Sequence, residues 1–286
     1  MKLTLGFSPC PNDTYIFAAM ALGLVDTEGL EFDCFMTDVE DLNKRAFSGT
    51  TDVTKMSCYA YAFAAGNYLI LDSGSALGYK NGPLLIGRKK LTDKEICSSR
   101  IAIPGKYTTA NLLFSLAWPE SLNKTEYLFS DIVDIVLEEK VDAGLIIHET
   151  RFTYHEKGLI KIADMGQYWE ELTGLPIPLG LIAVSRRIPL DIAMKVNRVI
   201  RRSLEYAGKH GQDISSFIEM NAREMQRSVI DSHIKLYVND FTHDLGSEGK
   251  KAISELFGRG QKQGVVPRLP DEIFLISRTG YNIRND

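Results

Sequence analysis

Three short segments combine turn-forming residues with side chains able to hold an anion. Ser8-Pro9-Cys10-Pro11-Asn12-Asp13-Thr14 leaves an apolar, strand-like run and enters a helical one. Its two prolines stiffen the turn, and Asn12 or Asp13 is placed to cap the helix. Ser8 and Asn12 are therefore expected at the wall of a cleft. Lys55-Met56-Ser57 ends a second strand-like run, directly before a helix expected from Cys58. Unpaired N–H groups and the dipole at a helix start favour negative charge; Ser57 adds a hydroxyl donor and Lys55 a charge. Gly105-Lys106-Tyr107-Thr108-Thr109-Ala110 repeats the plan, with Thr108 and Thr109 as cap and first-turn donors. A capped turn with no ligand is the plain alternative for each segment, and a solvated ammonium for Lys55.

His148 closes the apolar run Ala143-Gly144-Leu145-Ile146-Ile147. An imidazole at the carboxyl end of a strand can accept a proton near neutral pH; a structural histidine is the alternative. His155, His210, His233 and His243 fall in polar or helical stretches and read as surface or local packing residues. Thr173-Gly174-Leu175-Pro176-Ile177-Pro178-Leu179-Gly180 fixes an extended path, so Pro178 is expected at a hinge and cleft wall. Neither a P-loop nor a G-x-G-x-x-G fingerprint is present. The four cysteines, Cys10, Cys34, Cys58 and Cys97, show no C-x-x-C spacing. Free thiols are expected, and a metal site is not.

The elements that must position these groups alternate between strand and helix. Period and length predict strands over 3–7, 30–36, 52–56, 69–71, 84–88, 100–104, 143–147 and 179–185. Helices are expected over 12–22, 39–48, 58–65, 108–118 and 130–139, then in a tail over 190–208, 213–224, 230–240 and 247–261. Two units echo each other: each opens strand, polar turn, helix, and each later passes through Asp and a small residue into an apolar strand. The Asp is Asp52 in the first and Asp142 in the second. This is the pattern of an α/β protein with mainly parallel sheets in two lobes, binding a ligand beyond the carboxyl ends of its strands. The chain is expected to cross between lobes near 84–95 and 175–187, giving one lobe of 1–92 with 184–286 and another of 93–183.

With 286 residues, 44% of them apolar, two cores are affordable in side chain. A net charge of −4 argues against nucleic acid as a partner. No apolar run approaches the ~20 residues of a membrane span. The first residues enter a strand at once, without the pattern of a secretory leader, so a cytoplasmic location is expected. The amphipathic tail would suit a homodimer.

On the three turn segments, and on Ile147-His148-Glu149, Gly174 to Gly180 and His233-Ile234-Lys235-Leu236-Tyr237-Val238-Asn239, the chain resembles the 1,4-dihydroxy-6-naphthoate synthase family of menaquinone biosynthesis by the futalosine route. The resemblance covers nearly the whole chain. It implies a two-lobed, periplasmic-binding-protein-like (type II) α/β fold used by a carbon–carbon lyase. The reaction implied is cleavage of cyclic dehypoxanthine futalosine to 1,4-dihydroxy-6-naphthoate and a sugar-derived fragment. Aromatisation would drive it, so no cofactor is expected. The same resemblance makes His148 the proton acceptor and places Lys55, Met56, Ser57, Thr108 and Thr109 around a small-molecule carboxylate substrate. The rival readings are chorismate dehydratase of the same pathway and a non-catalytic solute-binding protein. A regulator's effector module is set aside because no DNA-binding segment accompanies it.

Overall fold

The computed structural model describes residues 1–148, 150–222 and 226–276. Its first sheet holds β1 (Lys2–Phe7), β2 (Glu31–Met36), β3 (Val53–Ser57), β4 (Tyr68–Ile70), β5 (Ala76–Gly78) and β11 (Ile177–Ser185). They run in the order β2-β1-β3-β11-β4, with β5 also on β11. The second sheet holds β6 (Leu84–Gly87), β7 (Ile101–Ile103), β8 (Lys124–Glu126), β9 (Ala143–Ile146) and β10 (Ile160–Asp164), in the order β10-β6-β9-β7-β8.

The two units seen in the sequence are topologically equivalent. Three parallel strands, β2-β1-β3 or β8-β7-β9, are followed by one antiparallel strand, β11 or β6, that arrives from the other unit's end of the chain. The sheets are thus mixed where mainly parallel ones were expected, because each lobe borrows a strand that the chain lays down on its way across. The paired aspartates have one job in both lobes. Asp52 Oδ2 accepts the Thr4 N–H at 2.9 Å, and Asp142 Oδ2 accepts the Arg100 N–H at 2.8 Å. Each carboxylate thereby pairs a backbone donor, within β1 at Thr4 and just before β7 at Arg100.

The borrowed strands mark where the chain passes from one sheet to the other. Residues 84–87 belong to the second sheet and 177–183 to the first, so the chain changes sheet before 84 and again before 177. An apolar run identifies a buried strand but not the sheet it joins.

The helices of the first unit are α1 (Pro11–Ala21), α2 (Val39–Phe47) and α3 (Cys58–Ala64). Those of the second are α4 (Asp93–Ser98), α5 (Thr109–Ala117), α6 (Ile132–Leu137), α7 (Thr150–Thr153) and α8 (Met165–Thr173). The tail is α9 (Leu190–Lys209), α10 (Gly211–Asn221), α11 (Arg227–Tyr237), α12 (Asp240–His243) and α13 (Gly246–Lys262). The end of the expected 213–224 helix lies outside the described residues. Helices α9, α10 and α11 pack on α1. Val196, Val199, Ile200 and Leu204 of α9 share one core with Ile16, Phe17 and Met20 of α1. Packing within the chain therefore accounts for the amphipathic face of α9.

A larger core runs through both lobes. It joins Met56 and Tyr61 of the first to Ile101, Leu113 and Leu145 of the second, together with Ile177 and Leu181 of β11 and Leu256 and Phe257 of α13. The 173–180 segment, expected as a hinge, feeds this shared core: Leu175 and Ile177 are buried in it. Among the described residues no helix is long and apolar enough to cross a membrane.

Candidate active site

The carboxyl ends of the parallel strands open on one cleft that is continuous with solvent. Ser8, Asn12, Lys55, Met56, Ser57, Thr108, Thr109 and His148 all line it. Pro178 does not. It pairs with Leu77 on the β11 ladder, and its neighbours Leu179 and Gly180 form the wall instead.

The floor is organised by Asp13. Its carboxylate accepts from the Ser8 N–H at 3.2 Å, the Ser8 hydroxyl at 2.7 Å, the Asn12 amide at 2.8 Å and the Lys55 ammonium at 2.7 Å. Asp13 and Lys55 are both buried, so this is an ion pair withdrawn from water. Neither Asn12 nor Asp13 is the helix cap; Cys10 is, and Pro11 at the first helical position supplies a preset φ. Asp13 sits in the first turn, where its charge also meets the helix dipole. The Lys55 stem crosses β11 at Gly180, where a Cβ would lie 2.9 Å from Lys55 Cε, so the strand needs glycine there.

The opposite wall is made at the seam of the lobes. Ser57 N donates to Asn43 Oδ1 at 2.8 Å, and Asn43 Nδ2 donates to Ser57 Oγ at 3.2 Å. The Ser57 hydroxyl accepts that bond and keeps its own proton, which meets no acceptor among the described residues. Thr108 caps α5 as expected, accepting the Asn111 N–H at 3.3 Å and donating to the Gly105 carbonyl at 2.8 Å. Thr109 Oγ1 donates to the Leu179 carbonyl at 2.7 Å and accepts the Tyr59 N–H at 3.3 Å. Both threonine hydroxyls, expected as ligand donors, are thus occupied within the protein. Thr109 and Ala110 of the first turn of α5 line the cleft, and that turn holds no acidic residue; the opening N–H groups of a helix have no partner within it. Behind it Glu40 of α2 accepts from Asn43 at 3.0 Å and from the Tyr107 N–H at 3.4 Å. Burial holds the Glu40 carboxyl above the ordinary carboxylate range, opposed by those two hydrogen bonds. A Cβ on Gly105 would come within 2.7 Å of that carboxyl, so the lobes approach closely here.

His148 follows β9 with a φ of +59°, a left-handed conformation that costs a non-glycine residue about 1–3 kcal/mol. The bend turns its ring into the cleft. Nδ1 lies 3.3 Å from Cys10 Sγ across the seam, Phe129 meets the ring edge-on at 4.8 Å, and the His233 ring lies 6.3 Å away in a near-parallel stack. Glu149 lies outside the described residues. His233, read from sequence as a surface or packing histidine, is instead fully buried at the cleft wall. Burial above all holds its imidazole well below its usual range, with smaller electrostatic contributions from His148 and Lys55 in the same direction, so it is neutral.

Sequence reasoning also missed Cys10, Asn81 and Tyr237 at this site. A signal for His233 and Tyr237 was available: Val229, His233 and Tyr237 stand four apart, on the buried face of α11. Cys10 and Asn81 carried no comparable mark.

This fold and cleft define a two-lobed α/β protein of the periplasmic-binding-protein type. The alkanesulfonate-binding protein of Xanthomonas axonopodis pv. citri, solved with MOPS, superposes with a TM-score of 0.71 over 93% of this chain and 94% of that one, at 14% identity. A solved Archaeoglobus fulgidus protein matches more closely, with a TM-score of 0.88 and 34% identity over 93% of this chain and 98% of that one. The chain belongs to the menaquinone biosynthesis family, whose model matches residues 3–262. Relatives named 1,4-dihydroxy-6-naphthoate synthase occur in Thermus thermophilus, 40% identical over 96% of this chain and 99% of that protein, and in Streptomyces coelicolor, 38% identical over 95% and 97%. The chain is thus an enzyme of that family, built on a fold it shares with transport proteins.

Proposed function

We propose that this enzyme is a carbon–carbon lyase that cleaves cyclic dehypoxanthine futalosine to 1,4-dihydroxy-6-naphthoate, with His148 as the base. The observation that carries the proposal is the His148 imidazole, turned into a cleft whose far wall offers hydrogen-bond donors suited to a carboxylate. The α5 amides and the Ser57 proton hold the carboxylate of the naphthoate half. That places the bond to be broken toward His148. The working chemistry is a retro-aldol-type fragmentation: His148 takes a hydroxyl proton, the oxygen becomes a carbonyl, and the pair of the breaking C–C bond passes into the ring that becomes aromatic. The step is redox-neutral, so its electrons require no carrier. A positioned base contributes about 10²–10⁴-fold. Lys55, neutralised by Asp13, serves to fix the floor.

The test is to incubate the purified protein separately with cyclic dehypoxanthine futalosine and with chorismate, and to identify products by mass spectrometry. The proposal expects the dihydroxynaphthoate from the first and no conversion of the second. Turnover of chorismate alone assigns the dehydratase reaction, and binding without turnover of either assigns a solute-binding role.

A further inference from the structure

The end of the cleft beside α11 is built on a different principle from the carboxylate wall. Asn81, in the crossing segment after β5, is 0% exposed, and neither its Nδ2 nor its Oδ1 meets a hydrogen-bond partner. His233 on α11 is also 0% exposed, and both its ring nitrogens are likewise without partners. Both residues line the cleft, on the side where α11 packs against β5. Buried amides and imidazoles almost always find partners within a folded chain, because leaving them unpaired costs folding free energy. Four such atoms on one cleft wall mark a place where the protein accepts that cost for a ligand.

The atom types state what the ligand must offer. Asn81 presents donors and an acceptor, and a neutral His233 presents one donor and one acceptor. Burial above all keeps that ring neutral. A carboxylate could satisfy the donors but would set its charge against Asn81 Oδ1 and the imidazole lone pair. Hydroxyl groups both donate and accept, so they satisfy all four atoms.

We infer that Asn81 and His233 form a second subsite that receives the uncharged, hydroxyl-bearing sugar half of the substrate and selects for it. This rests on the lyase reading above, and assigns to that half of the molecule the residues that recognise it. The cleft would then read its substrate from two ends, a carboxylate at α5 and hydroxyls at α11, with His148 between them.

The experiment compares wild type with Asn81→Leu, His233→Phe and His233→Gln. It measures KM for cyclic dehypoxanthine futalosine and, under anaerobic reducing conditions, the Kd of 1,4-dihydroxy-6-naphthoate, which keeps the carboxylate but lacks the sugar half. Asn81→Leu and His233→Phe are each expected to raise KM roughly tenfold, because the substrate's hydroxyls are then desolvated without a partner on the protein. The Kd should stay within about twofold of wild type. His233→Gln, which keeps a donor and an acceptor, should recover much of the loss. Ligand-free Asn81→Leu should melt higher than wild type, since it removes unpaired buried polar atoms. Should leucine at 81 not fold, Asn81→Ala gives the same comparison of KM with Kd. KM and Kd rising together, or KM unchanged in both apolar variants, would overturn the subsite while leaving the lyase reading intact. Wild type that does not turn over the substrate at all takes down both.

Discussion

Two strand-to-helix corners face each other across the cleft, β1 to α1 and β7 to α5. At the first, the chain supplies its own anion: Asp13 stands in the opening turn of α1 and accepts from Ser8, Asn12 and Lys55. At the second, the opening turn of α5 holds no acidic residue, and Thr108 and Thr109 direct their hydroxyls into the protein. Equivalent places in a duplicated topology have thus been given opposite tasks. A corner saturated by its own carboxylate is a rigid support, whereas a corner left without one is open to a ligand's carboxylate. Side chains that look like ligand donors in sequence can be the ones that hold such a corner in place.

Breaking the saturated corner should have the largest effect on stability. Asp13→Ala leaves the Lys55 ammonium buried without its partner and should cost about 3–5 kcal/mol. Urea unfolding monitored by circular dichroism measures it, and the double variant Asp13→Leu with Lys55→Met should regain most of the loss. A single variant as stable as wild type would remove Asp13 as the organiser of the floor. The open corner is sharpened by a pair of variants read through affinity. Ser57→Ala should weaken binding of the dihydroxynaphthoate by about 1.5–3 kcal/mol, the range for a hydrogen bond to a charged group. Thr109→Val should cost about 0.5–1.5 kcal/mol of stability for each of its two bonds and leave affinity nearly unchanged. Calorimetric titration that finds the reverse order would return Thr109 to the ligand.

A smaller effect separates the His233 end from both corners. In the folded protein this imidazole stays neutral, whereas in the unfolded chain it titrates near 6.5. Above that pH neither state carries the proton, and the contribution to stability is constant. Below it the unfolded chain binds a proton that the folded protein refuses, so stability falls as pH drops. The slope reaches at most about 1.4 kcal/mol per pH unit. His148, Lys55 and Tyr237 are the titratable groups around the ring, and the first two add to burial in keeping it neutral. Between pH 7 and 5 the unfolding midpoint of wild type should fall relative to that of His233→Gln, and parallel curves would contradict this account of the ring.

Much of this site was legible because its parts are local. A strand, a proline-stiffened turn and a helix fall within Leu3 to Leu22, and the run from Ala143 delivers His148 to a strand end with no long-range information. The aspartates at 52 and 142 marked a duplication that the sheet order bears out. What escaped depended on contacts far apart in sequence. Asp13 meets Lys55 across 42 positions and Cys10 meets His148 across 138. Which residue each one meets is not marked by its sequence neighbours. Strand β8, Lys-Thr-Glu, was missed because a short polar edge strand has no apolar period to read. Helix α8 was missed although Asp164 caps its start and Gly174 its end; there the capping signals were present in the sequence. His233 was misread because a histidine on a helix was assigned by polarity when its spacing with Val229 and Tyr237 pointed inward.

Kinetics of His148→Ala test the role of the imidazole at the end of β9 most directly. With cyclic dehypoxanthine futalosine as substrate, kcat should fall by about 10²–10⁴-fold, while the Kd of the dihydroxynaphthoate stays close to that of wild type. A variant that retains kcat within a few-fold of wild type would show that the proton is taken by another group.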